Sequence, residues 1–211
     1  MKTIQYCLGL LSAAGLVSAQ PAPDQQRALV NTILEELEPQ AMTLVQRGPN
    51  GRYQLQPKQP PVLRLLLLDR SYTGLAGRLL LAADDTPYNQ RLRQHFSADD
   101  LLYMRRQLTM TSFFRHQQAT IPQPWVRVLP MDTLRALRQR LGWQAEFRFT
   151  DSLAQRYGSY TTFAISKPLF SEDHTRALVN VAAGSDTSTC VYQKTGTRWR
   201  RKEVLYIVIS D

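Results

Sequence analysis

Histidine, the commonest side-chain base and metal ligand, occurs three times, as His95, His116 and His174. The three stand far apart, and none falls into an HExxH or similar ligand spacing, so neither a metal site nor a cofactor is expected. Asp69 closes one apolar run, and Asp84 and Asp85 follow another. Acids at strand ends can serve hydrolysis as general acid and base. Asp is equally the residue that shapes turns, and the turn reading is preferred here. There is no GxSxG elbow, no GxxxxGK[ST] loop and no GxGxxG loop, and Cys190 has no His near it in sequence. No catalytic residue is therefore assigned. The best positive feature is Arg198, Arg200, Arg201 and Lys202. On a strand, Arg198, Arg200 and Lys202 share one face, while Trp199 and Arg201 share the other. Such a strip suits an anionic ligand; it equally suits an exposed strand kept soluble by charge. A nucleic-acid surface needs a wider basic patch, so no specific nucleic-acid partner is expected.

The charge balance fits that picture. Lys and Arg number 26 against 17 Asp and Glu, a formal charge of +9. Positive balance bears on partners rather than on fold, and anionic polymers or acidic surfaces are the candidates. The charges are spread along the chain instead of blocked, as on a solvated surface. The apolar share of 43% and charged share of 20% are those of a globular protein.

Residues 1–19 read as a secretory signal peptide. Lys2 supplies the charge, Ile4 to Leu16 the apolar run, and Val17-Ser18-Ala19 the small-residue cleavage site. The run is too short to span a bilayer, and no later stretch is long and apolar enough. The expected address is secreted or periplasmic, with cleavage after Ala19. Cys7 leaves with the leader, so Cys190 stands alone and no intramolecular disulfide is expected. A buried, unpaired thiol is the expectation for Cys190.

Residues 20–211 are expected to form one α+β domain. Within it, residues 20–60 supply a helix and a linker. Asp24 is its expected cap; Leu29, Val30, Ile33, Leu34 and Leu37 form its apolar stripe, and Pro39 ends it. A short further helical turn is expected over Ala41 to Gln46. Residues 61–158 are mixed. Val62 to Leu68 reads as a buried strand, with Arg78 to Ala82 as a hairpin partner. Ser97 caps a helix carrying Leu101, Met104 and Leu108 on one face. Trp125 to Leu129 alternates as a strand, and Pro130 to Leu141 is a helix stopped by Gly142. Trp143 to Tyr157 is read as a further helix, with Trp143, Phe147, Leu153 and Tyr157 packed inward. Residues 159–211 read as four strands, at Thr161–Ser166, Arg176–Ala182, Thr189–Lys194 and Trp199–Ser210. The expected fold is an antiparallel meander covered by the earlier helices.

A set of residues in this last third carries a resemblance. It comprises Ser166-Lys167-Pro168-Leu169-Phe170-Ser171 with Asp173, then Ala177-Leu178-Val179, Tyr192 with Lys194, Gly196 with Trp199, and Ile209-Ser210. Asp100, Leu101, Met104 and Gln107 join it from the Ser97 helix. On these residues the chain resembles a group of uncharacterised secreted proteins of Bacteroidota-type bacteria. The resemblance implies an extracytoplasmic address and carries no activity with it. The expected function is a non-enzymatic binding or interaction protein of the cell envelope, its partner unknown. The alternatives are a hydrolase using Asp69, Asp84 or Asp85, and a binder of anionic surface polymer through Arg198, Arg200 and Lys202.

Overall fold

The computed structural model describes residues 22–37, 44–47, 53–56, 65–70, 86–109, 114–142, 146–159, 161–184 and 186–208. The five helices among them are α1 (Pro23–Glu36), α2 (Pro87–His95), α3 (Ala98–Thr109), α4 (Met131–Leu141) and α5 (Glu146–Tyr157). Two short strands, β1 (Leu44–Arg47) and β2 (Tyr53–Gln56), pair antiparallel. That hairpin replaces the helical turn expected over Ala41 to Gln46. Leu44 and Val45 are compatible with either state, and pairing across the hairpin decides between them.

A seven-stranded sheet organises the other described residues. It contains β3 (Leu65–Leu68), β4 (Val126–Leu129), β5 (Thr162–Ile165), β6 (Leu169–Phe170), β7 (Arg176–Ala183), β8 (Asp186–Thr195) and β9 (Arg198–Val208). Its order is β4-β3-β5-β7-β8-β9, with β6 also on β7. Strands β5, β7, β8 and β9 form the antiparallel meander that the turn spacing predicts. The α+β class holds, but the sheet does not end with the meander. Strand β3 pairs parallel with both β4 and β5, which makes the sheet mixed. With both its edges taken, β3 has no room for the hairpin expected of it. Arg78 to Ala82 lie outside the described residues.

Helices lie on both faces. All four residues of β3 are buried, and they alternate. Leu65 and Leu67 join α1, Val126, Ile165, Val179 and Tyr192 in one core. Leu66 and Leu68 point the other way, into a core with α4 and α5. A third core, built on Leu178, Val191 and Leu205, is covered by α2 and α3. Thus, among the described helices, α1 covers one face with its stripe of Leu29, Val30, Ile33 and Leu34, while the other four cover the opposite face.

Helix ends follow local chemistry. Ser97 Oγ accepts from Asp100 N at 3.1 Å, and Asp100 Oδ2 accepts from Ser97 N at 3.0 Å, a reciprocal capping box. Gly142 ends α4 at φ +82, a left-handed conformation that suits glycine. Asp24 does not cap α1. Ala22 holds the cap position without a side-chain bond, and Asp24 sits exposed in the first turn. In α5, Leu153 is buried as expected and Tyr157 is half-buried; Trp143 and the side chain of Phe147 lie outside the described residues.

Candidate ligand-binding site

Parallel strands in mixed sheets tend to place ligands beyond their carboxyl ends, where the chain switches sides. The chain runs from β3 to β4 on one side, then to β5 on the other, so the switch lies between β3 and β5. Residues 114–117 cross this point. His116 N donates to Asp69 O at 2.9 Å, just past β3. His116 Nε2 donates to Ile165 O at 3.0 Å, at the end of β5, which places the proton on Nε2. Burial lowers the His116 pKa, against smaller opposing effects of the Ile165 bond and the Asp69 charge, and favours the neutral ring. The Phe114 ring packs edge-on to it at 4.9 Å.

Beside His116, a cavity of about 190 Å³ opens between α1 and residues 114–121. It runs from exposed Arg27 and Arg115 down to Val30 and Ile121 of the α1-side core. Gln26 and Asn31 also line it, and no carboxylate does among the described residues. Arg27 has only a long contact to Asp24, at 3.8 Å, and Arg115 has no ion pair among the described residues. Asn31 Oδ1 is buried with no hydrogen-bond partner there. Such a group costs about 1–3 kcal/mol of desolvation unless something supplies a donor. Gln123 is in the same position: its Nε2 donates to Asn31 O at 3.4 Å, and its Oε1 is buried and unpartnered. Sequence reasoning missed this cavity, because residues 23–31 and 114–121 come together only when the chain between them, including α2, α3 and β3, has folded. The only signal was His116 itself.

The carboxylates do not converge here. Asp69 Oδ1 accepts from Met131 N at 2.8 Å and so caps α4 from a neighbouring strand end. Asp84 and Asp85 lie outside the described residues. The histidines stay apart as well: His95 Nε2 donates to Glu203 Oε2 at 2.5 Å, and His174 Nε2 meets the Tyr103 hydroxyl at 3.0 Å. Among the described residues, no three His, Cys, Asp or Glu side chains are placed to hold a metal ion.

Arg198, Arg200 and Lys202 are all exposed on β9, the outer strand of the sheet. Trp199 is buried against α1, and Arg201 lies 3.6 Å from Glu36 on that same side, so the predicted alternation holds through residue 201. A β-bulge follows at Lys202, between the pairs Val191↔Glu203 and Tyr192↔Arg201. The extra residue turns Glu203 towards α2, where it pairs with Arg91 and His95. Hydrogen bonds from Arg91 and then His95 hold the Glu203 carboxyl below its usual range. Cys190 is free and buried on the α1 side, and burial raises its thiol pKa.

The residues that carried the family resemblance form a structural joint. The Gln107 side chain acts as an added strand: Nε2 donates to Phe170 O at 2.7 Å, and Oε1 accepts from Phe170 N at 3.0 Å. Ser166 Oγ accepts from Asn180 N at 2.9 Å, and Asn180 Oδ1 accepts from Thr189 Oγ1 at 2.8 Å. Ser171 Oγ donates to Asp173 Oδ1 at 2.6 Å and accepts from Arg176 N at 2.9 Å. Asp100 Oδ1 accepts from Glu172 N at 2.9 Å and ties the loop to α3. These contacts fix where α3 meets β6 and β7; they need no ligand.

No protein-family model, curated protein or solved structure matches this chain.

Proposed function

We propose that this is a non-enzymatic binding protein of the cell envelope, taking its ligand in the cavity between α1 and residues 114–121. One observation carries the reading: this wall offers cations and amides, with a neutral imidazole already bonded to a carbonyl. That is a set for recognition, without an acid–base pair or an activated nucleophile among the described residues that line the cavity. Asp69, the one described acid of the hydrolase alternative, is engaged as a helix cap. The envelope address rests on the leader-like residues 1–19 and on the resemblance to secreted proteins. Purified protein assayed against chromogenic ester, peptide, glycoside and phosphate substrates should give no turnover. Turnover that survives chelation and disappears in Asp69→Asn, with the fold intact, would establish the hydrolase instead.

A second reading is favoured by the exposure of Arg198, Arg200 and Lys202 on an outer strand. These cations would hold an anionic surface polymer. Binding to a polyuronate probe should then weaken as salt rises, since the attraction is screened, and should fall in the triple Ala variant. Salt-independent binding would remove this reading.

A further inference from the structure

We propose that the amino-terminal half of β9 takes an acidic, extended segment of another protein as an added antiparallel strand. This goes beyond the cavity reading and does not depend on it. Among the described residues β9 is the outer strand of the sheet, so one row of its backbone groups has no strand partner there. The ladder shows which groups these are. Lys194 N donates to Thr175 O, just before β7, and successive residues of a strand turn their backbone groups to opposite edges. Gln193 therefore faces β9, its partner Arg200 faces back to β8, and Trp199 and Arg201 turn their N–H and C=O outwards. Beyond the bulge at Lys202 the outer edge is occupied, because Arg91 donates to Val204 O at 3.0 Å and to Leu205 O at 2.9 Å. The open stretch is thus short and ends at the bulge.

Charge selects the occupant. Arg198, Arg200 and Lys202 stand exposed beside the open groups. The nearby acids are engaged, Glu36 by Tyr192 and Arg201, and Glu203 by Arg91 and His95, which leaves the three cations without an ion pair among the described residues. A second copy pairing over the same stretch would lay these cations against themselves, and like charges directly opposite are destabilising. A strand with acids at alternate positions meets them with opposite charge, while its backbone meets Trp199 and Arg201. An anionic polysaccharide would use the cations and leave that row of N–H and C=O groups unpaired.

The test is nuclear magnetic resonance on the purified, isotope-labelled protein, titrated with a short synthetic peptide in which Glu alternates with Thr. Binding should slow hydrogen exchange at the Trp199 and Arg201 amides, which point outwards, and leave those of Arg198 and Arg200, which face β8, unchanged. In an antiparallel pair the residues between the acids make the backbone bonds. N-methylation of the peptide at its Thr residues should therefore abolish binding, and N-methylation at its Glu residues should be tolerated. Arg198→Gln, Arg200→Gln and Lys202→Gln together should weaken binding about 10-fold, since three opposite-charge cross-strand pairs are lost. All three residues are exposed, so the variant is expected to fold, and its melting curve checks it. Undiminished binding by the folded triple variant would overturn the acidic requirement. Peptide binding without protection of Trp199 and Arg201, or with both N-methylated peptides still bound, would overturn strand addition and leave these cations to the polymer reading. Absence of binding by the alternating peptide would overturn the inference.

Discussion

The joint between α3 and strands β6 and β7 and the cavity under α1 handle buried polar groups in opposite ways. In the joint, Gln107, Ser166, Ser171 and Asn180 each find a protein partner. Around the cavity, Asn31 Oδ1 and Gln123 Oε1 find none among the described residues. A satisfied network rigidifies and specifies a structure, whereas an unsatisfied one costs stability until a partner arrives. The comparison separates two kinds of polar residue that look alike in a sequence: those whose polar atoms the fold satisfies, and those whose polar atoms it buries without a partner among the described residues.

The largest test of that contrast is Gln107→Ala. It leaves Phe170 N and O buried without partners, at about 1–3 kcal/mol each. A loss of roughly 2–5 kcal/mol is expected in urea unfolding; a loss below 1 kcal/mol would show that the joint does not hold the fold. Ser171→Ala should be milder, about 1–2 kcal/mol, because it removes one acceptor for Arg176 N and one donor to Asp173.

The two regions should also separate by pH. Burial lowers the His116 pKa, so the unfolded chain binds this proton more readily. Its contribution to stability is full above the ordinary imidazole range, near pH 6.5, and declines as pH falls below it. At Asp173, burial pushes the carboxyl pKa up, but hydrogen bonds from Ser171 and Thr175 and the Arg176 charge outweigh it and hold the pKa down. Its contribution is full above the ordinary carboxylate range and declines only in stronger acid. Thermal melts from pH 7 to pH 5 should therefore fall in the parent protein and flatten in His116→Gln, with Asp173→Asn leaving that window unchanged. Identical slopes in the parent and His116→Gln would show that the imidazole is not held neutral.

The smallest effect is expected at Asn31→Leu in ligand-free protein. Replacing an unsatisfied polar group by an apolar one of similar size is near neutral or stabilising. A melting temperature within about 2 °C of the parent, or above it, is the expected result. A fall as large as that of Ser171→Ala would mean that Asn31 is satisfied after all.

Sequence alone determined the elements whose signals are local. Alternation and turn residues placed the four meander strands, the spacing of Leu29, Val30, Ile33 and Leu34 placed α1, and Ser97 with Asp100 marked the start of α3. Apolar character placed β3, while the structure shows Cys190 free and buried. Only tertiary structure decided the rest, because it depends on residues far apart in the chain. Parallel pairing of β3 with β4 and β5 has no local signature: a central parallel strand reads only as a continuous apolar run. Asp69 caps a helix that begins 62 residues later. Arg198, Arg200 and Lys202 share a face by local alternation, but the bulge after them, which turns Glu203 to Arg91 and His95, is set by pairing with β8. The cavity exists because α1 is laid across a segment that begins more than 80 residues further along the chain. Its unsatisfied Asn31 is invisible until burial removes the water that would satisfy it.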